Sequence, residues 1–249
     1  MIFSYDKYRD LLVHLKATAE VVGLDEWDGS NSIILRHDVD LDIVAAYELA
    51  KIEAEYDIGA TYFFMMTSPT YNIYSKRVRN TLSNIVDLGA EIGLHFDPTM
   101  YIYDSESGLE RHVEREVDQL ADASGYEIKS VSLHNPSLLG FRPIFAKFNN
   151  AYDKRIFADD RYISDSRMIF NEKNIYDFVK GVADHPVQIL LHPMHYSNEP
   201  VDYPMIMAKH EEMYVEQLNN LFNLNETYSK QLGDSSLLSR VLSILSSRQ

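Results

Sequence analysis

The stretch Ile33-Ile34-Leu35-Arg36-His37-Asp38-Val39-Asp40 constrains this chain most. Its apolar start reads as a buried strand, yet it ends in a histidine and two acids. A core strand has no need of carboxylates at its end, whereas α/β folds build their sites at the C-terminal ends of parallel strands. Asp38 and Asp40 stand two residues apart, so on an extended backbone they point the same way. Carboxylates held together require a cation, a shared proton or a substrate. Three further strand-like runs end in histidine: Glu91 to His95, Ser130 to His134 and Val187 to His192. Four strands delivering Asp and His at their ends read as one metal-centred site.

The intervening segments have helical spacing. Tyr8, Leu11, Leu12 and Leu15 set a helix within 5–22, and Ile43, Ala46, Tyr47, Ala50 and Ala54 set another over 42–56. A strand is expected over 59–65, a helix over 74–88 and another over 109–124. The region 136–174 is less regular, with a helix expected around 144–149 and short strands near 155–157 and 162–165. A helix over 175–182 precedes the last strong strand. A final amphipathic helix spans 203–222, and the Ser/Leu-rich tail from Leu232 reads as a docking helix or a partly disordered end. Strand–helix alternation argues for a parallel sheet, and a closed or nearly closed barrel explains why strand-end residues converge. With 249 residues and no linker or internal repeat, the expectation is a single domain, 1–249, with an N-terminal helix at 5–22 and a C-terminal helical tail at 203–249.

There are no cysteines, so any metal must be held by His, carboxylate and water. A net charge of −15 opposes binding to nucleic acid or an anionic membrane. The N-terminus lacks a basic stretch followed by an apolar one, and no run is long enough to span a bilayer, so a cytoplasmic protein without membrane insertion is expected.

The order of motifs resembles the polysaccharide deacetylase superfamily, the NodB-homology domain of carbohydrate esterase family 4. The resemblance runs from about Ile33 to Tyr196. Arg36-His37-Asp38-Val39-Asp40 resembles the family's strand ending in an Asp pair. Gly59-Ala60-Thr61-Tyr62-Phe63-Phe64 resembles its Ala-Thr-Phe-Phe strand, and Gly89-Ala90-Glu91-Ile92-Gly93-Leu94-His95 its Gly-x-Glu-Ile-Gly-x-His strand. Leu190-Leu191-His192 before Pro193 resembles its late Leu-x-His strand, and Tyr162-Ile163-Ser164-Asp165-Ser166 its Asp-bearing strand. The resemblance implies a distorted (β/α) barrel of about seven parallel strands and a divalent metal, usually zinc. It implies hydrolysis of an N-acetyl or similar N-acyl group from an amino sugar, the partner being a small or oligomeric N-acylated carbohydrate. Three departures stand out. Val39 separates the two acids, Leu133-His134-Asn135-Pro136 replaces an Arg-x-Pro motif, and Thr99 stands four after His95 where the family has a second histidine.

A hydrolytic zinc site needs about three protein ligands and an open position. Asp40, His95 and His134 are the expected ligands, with His134 supplying the one that Thr99 cannot. Asp38 fits the general base, its structural alternatives being a cap or a salt bridge to Arg36; the two aspartates are interchangeable at this level. His192 fits the general acid. Asp165 reads either as the carboxylate that orients His192 or as a turn residue, and His195 as a rim residue or extra ligand. His37 points away from Asp38 and is expected to pack or support. Asp97 suits a turn before Pro98. Tyr71, Tyr74, Tyr101, Tyr103 and Tyr196 lie near strand-end loops, with Tyr196 the expected sugar contact. Arg142, in Gly140-Phe141-Arg142-Pro143, binds an anionic group or pairs with a surface acid. The competing functions are a catalytically silent barrel that binds a sugar or a protein, and another metal-dependent amidohydrolase. The latter class opens with a His-x-His strand that is absent here.

Overall fold

The computed structural model describes residues 3–103, 105–138, 142–170 and 173–247; Gly140 and Phe141, just before Arg142, lie outside them. Helix α1 (Tyr5–Thr18) begins at Ser4, whose hydroxyl takes the Lys7 N–H, and buries Tyr8, Leu11, Leu12 and Leu15. It is shorter than expected. Ala19 is already extended, and the β-branched pair Val21–Val22 forms β1 beside Ile33 and Ile34. Strand β2 (Ile33–Val39) is buried along its whole length, as befits a parallel strand covered on both faces. Helix α2 (Ile43–Glu55) starts at Asp42, whose carboxylate accepts the Val44 and Ala45 N–H groups at 2.9 and 3.0 Å.

The chain then alternates through β3 (Thr61–Phe64), α3 (Lys76–Asp87), β4 (Glu91–Phe96), α4 (Glu106–Ser124) and β5 (Ser130–Leu133). After β6 (Asn149–Asn150), β7 (Tyr162–Ser164) and α5 (Ile175–Phe178) it ends in β8 (Val187–Leu191). All pairings are parallel and run β6-β5-β4-β3-β2-β8-β7, with β1 added to β2. Among the described residues β6 and β7 do not pair with each other. The fold is therefore a distorted, incompletely closed (β/α) barrel of seven strands with helices on its outer face.

The irregular region departs from expectation in two places. No helix forms around 144–149. Instead the Asn150 amide donates to the carbonyls of Phe145 and Phe148 at 2.9 and 2.7 Å and accepts the Phe145 N–H, which ties this stretch into a turn leading into β6. Residues 155–157 are not a strand, because Asp153 gathers their N–H groups: its side chain takes that of Arg155 and its carbonyl those of Ile156 and Phe157. The expected helix at 175–182 is one α-turn, α5, continued as 3-10 turns to Ala183.

Residues 1–200 and 201–249 are two compact units. The second comprises α6 (Tyr203–Phe222), α7 (Glu226–Leu232) and α8 (Leu237–Ser246), so the tail beyond Leu232 is helical, started by a capping box at Ser236. Within it the Asn219 side-chain oxygen accepts from Tyr228 Oη and the Leu237 N–H at 3.0 and 3.3 Å. Among the described residues no helix is long and apolar enough to cross a membrane.

Gly93, in the middle of β4, leaves the space that Phe63 of the neighbouring strand fills. A Cβ there would stand 2.6 Å from the Phe63 ring and 3.1 Å from the Ser130 carbonyl oxygen. Gly93→Ala should destabilise the barrel by about 1–3 kcal/mol, the usual cost of overpacking a tight core. The measurement is the midpoint of urea unfolding, and an unchanged midpoint would mean that the Phe63 ring moves aside freely.

Candidate active site

The strand register brings the polar strand ends to one level. His37 lies beside Leu191, Asp38 beside Phe63, Phe64 beside Leu94, and Phe96 beside Leu133. Asp38 and Asp40, His95, His134 and His192 thus all emerge at the C-terminal end of the sheet.

Alternation along β2 sends Arg36 and Asp38 to one face and His37 to the other. Arg36 is fully buried. Its guanidinium donates to Asp38 Oδ2 at 3.1 Å, to Tyr152 Oη at 3.3 Å and to Gln188 Oε1 at 3.4 Å, and it lies over the rings of Tyr152 and Phe63. Burial works against its charge, but Asp38 beside it more than compensates and holds the proton more tightly than usual. Ser132 Oγ reaches Asp38 Oδ1 at 3.5 Å. On the opposite face, His37 stacks on Tyr62 and contacts Glu53 Oε1 at 2.6 Å, with Tyr62 and Tyr8 also donating to Glu53. His37 is therefore a supporting residue, as its position on the strand implies.

Asp40, His95 and His134 come together. Asp40 Oδ1 lies 3.1 Å from His95 Nε2 and 3.3 Å from His134 Nδ1, and the two ring nitrogens are 3.2 Å apart. Among the described residues the buried Asp40 Oδ1 receives no well-aligned hydrogen bond despite these distances. The three atoms form one close triangle. Ligands about 2.0–2.1 Å from a tetrahedral zinc stand about 3.3–3.4 Å from each other, so the triangle fits a divalent cation of that kind. Burial pushes the Asp40 carboxyl up, but the closeness of His134 and His95 outweighs it and holds that carboxyl well below the usual range. His134 is shifted the other way: burial lowers its pKa, and Asp40 raises it by more.

Asp38 and His192 flank this triangle. Asp38 Oδ2 is 3.8 Å from His95 Nε2, and His192 Nε2 is 3.9 Å from Asp40 Oδ2. Behind His192 sits Asp165, fully buried; its Oδ1 is 2.6 Å from His192 Nδ1, and both its oxygens accept the His192 backbone N–H, at 3.0 and 3.1 Å. Of the two readings of Asp165, the structure has it orienting the imidazole. Burial lowers the His192 pKa, but the Asp165 carboxylate raises it by more, to about 9. Asp165 in turn is raised by burial and lowered by more through His192 and His195, so it stays ionised. His195 is buried, with Nδ1 3.1 Å from Asp165 Oδ2, so it is not a rim residue and stands outside the Asp40 triangle.

The remaining sequence candidates serve the scaffold. Asp97 starts the 3-10 turn Pro98–Met100 by accepting the Thr99 N–H and hydroxyl. Tyr71 is buried, donating to the Val39 carbonyl at 2.6 Å and accepting the Met65 N–H. Tyr74 is exposed and donates to the Gln119 carbonyl, while Tyr101 stacks between Phe96 and His112. Tyr103 is partly buried against the core. Tyr196 is only 2 % exposed, packed edge-on against Phe3 and tilted against Tyr8, which leaves its ring no face for a sugar. Arg142 is exposed and covers the Phe157 ring rather than any of the clustered acids or imidazoles. Sequence reasoning passed over Tyr152, Gln188 and Ser132. Only Gln188 carried a signal, a polar residue alone inside an otherwise apolar strand.

No family model matches the chain, and no curated protein does. Solved structures do resemble it, and they are of the class to which the motif order points. A CE4 family pseudoenzyme from Bacillus anthracis is 12 % identical with a TM-score of 0.42, over 76 % of this chain and 62 % of that one. A family 4 carbohydrate esterase from Bacillus anthracis is 16 % identical with a TM-score of 0.41, over 85 % and 86 %. The peptidoglycan deacetylase PdaC from Bacillus subtilis is 15 % identical with a TM-score of 0.41, over 78 % and 98 %. The chain spans less than two thirds of the pseudoenzyme's length.

The Arg36–Asp38 pair yields a direct test. Removing one member of a buried ion pair strands the other, at a cost of about 3–5 kcal/mol. Arg36→Met should lose stability on that scale in urea unfolding, and Arg36→Met combined with Asp38→Asn should recover part of it. Equal loss in the single and double variants would show that the guanidinium serves Tyr152 and Gln188 rather than Asp38.

Proposed function

We propose that the protein is a metal-dependent hydrolase that removes an N-acetyl or similar N-acyl group from an amino sugar or a related carbohydrate. The observation that carries this reading is the convergence of Asp40 Oδ1, His95 Nε2 and His134 Nδ1 within 3.1–3.3 Å of one another, between Asp38 on one side and the His192–Asp165 pair on the other. The order of strand-end motifs supports the sugar amide as the substrate class.

Asp40, His95 and His134 would hold the cation, leaving a position open to solvent and substrate. A divalent cation in that place supplies polarisation of an acyl carbonyl and a more acidic water. Asp38, kept in position by Arg36, takes the proton of the attacking water as the new C–O bond forms. His192 is protonated at neutral pH because Asp165 stabilises the imidazolium, so it can give its proton to the departing nitrogen as the C–N bond breaks. Thr99 in place of a second histidine does not leave the site a ligand short, because His134 stands where a third donor is needed. That favours the active enzyme over a silent barrel.

The deciding experiment is acetate release from N-acetylhexosamine-containing substrates by zinc-loaded protein. Release should stop with a chelator and return with zinc or another divalent ion, and Asp38→Asn should keep the metal while losing a factor on the order of 10²–10⁴ in rate. Metal-loaded protein that releases nothing from a broad panel of N-acylated sugars would identify a silent barrel instead.

The pH profile tests the acid. Asp165 holds the His192 pKa up, so activity should fall on the alkaline side as His192 loses its proton, and a cation beside Asp40 would bring that limb below the value of about 9 that the metal-free site gives. Asp165→Asn removes the stabilising charge, so the alkaline limb should move down toward the ordinary imidazole value of about 6.5. An alkaline limb that stays in place in this variant would take His192 out of the acid role.

A further inference from the structure

The two imidazoles of the triangle differ behind the site. His95 Nδ1 is buried and, among the described residues, has no partner. His134 is held from outside: its Nε2 lies 2.8 Å from Asn135 Nδ2, the side-chain amide of the next residue. The other ring nitrogen, Nδ1, faces Asp40 Oδ1 at 3.3 Å and His95 Nε2 at 3.2 Å. A ring nitrogen that carries a proton cannot also be a ligand. For Nδ1 to bind a cation, the ring proton must sit on Nε2, and the neighbour of Nε2 must be an acceptor.

The amide can become one. Its oxygen and nitrogen are nearly the same size, so the amide can present either end to Nε2, the oxygen accepting or the NH2 donating. The backbone is fixed on both sides: the His134 N–H donates to the Phe96 carbonyl at 2.8 Å, and Asn135 has a left-handed φ of 47° that Asn tolerates well. We infer that Asn135 is a positioning residue for the metal centre, its amide oxygen accepting the His134 Nε2–H when a cation is bound and so presenting Nδ1 as a ligand. This rests on the metal-centred reading above and adds to it the group that selects the ligand's tautomer.

Zinc affinity, measured by competition with a chromophoric chelator on the full chain, separates this role from a backbone one. Asn135→Gly keeps the left-handed turn and removes the amide; it should weaken zinc binding by about 10- to 100-fold, the usual effect of losing such an outer partner. Asn135→Asp keeps an acceptor in a residue that also tolerates this φ, and should bind at least as tightly as the wild type. In nitrogen-15 spectra of the zinc-loaded wild type, His134 should carry its ring proton on Nε2, and a proton on Nδ1 would overturn the inference. Wild-type affinity in Asn135→Gly, or equal weakening in Gly and Asp variants, would overturn the inference and leave Asn135 as a turn residue. Wild-type protein that takes up no stoichiometric zinc would instead overturn the metal reading on which it rests.

Discussion

Arg36 carries its charge out of water in the middle of the sheet, and the surrounding structure is arranged to keep it there. A buried ion costs several kcal/mol unless it is paired and hydrogen-bonded. Asp38 supplies the opposite charge, Tyr152 and Gln188 the remaining acceptors, and three rings a polarisable wall. The same contacts bridge the open side of the barrel. Gln188 of β8 donates to the carbonyls of Ala151 and Ile156, and Tyr152 donates to that of Leu133. Where, among the described residues, no strand ladder joins β6 to β7, the Gln188 amide and the Tyr152 phenol tie the segment between them to the walls.

Because Asp38 is tied to this hub, the carboxylate proposed as base is held by a group that cannot lose its proton in the working pH range. His192 is held in the same manner by Asp165, on the other side of the triangle. Each of these two side chains thus has a charged partner behind it, one supplied within its own strand and the other from the loop after β7. Rigid supports of this kind let proton transfers occur without first rearranging the site.

Much of this was legible in the chain. The strands β2, β4, β5 and β8 and the polar residues at their ends follow from short apolar runs broken by His and Asp, because a parallel sheet buries its strands and exposes their ends. The two residues flanking the triangle followed as well. What stayed hidden depends on distance in sequence. Nothing local says that Gln188 meets Ala151, or that Tyr152 meets Arg36. The turn at 145–150 looked helical because its side-chain bonds from Asn150 are invisible to periodicity, and Asp153 undid a strand in the same way. Tyr196 looked like a surface aromatic and is part of the core, since a loop position does not reveal how deeply a ring is packed.

The three donors of the triangle lie far apart in the chain, at the ends of three different strands. A pair of imidazoles four residues apart would bind a cation even in a coil, since one turn of chain brings them together. Here the coil offers no such local grip, because Asp40, His95 and His134 meet only once β2, β4 and β5 are in register. A cation bound at this point would therefore favour the folded chain almost without competition from the unfolded one, so its binding free energy would pass nearly undiminished into stability. It would act as a cross-link at the open mouth of the barrel, drawing β5 toward β2 across two intervening strands, and the metal-free chain would lose its hold first at the edge where β6 ends the sheet.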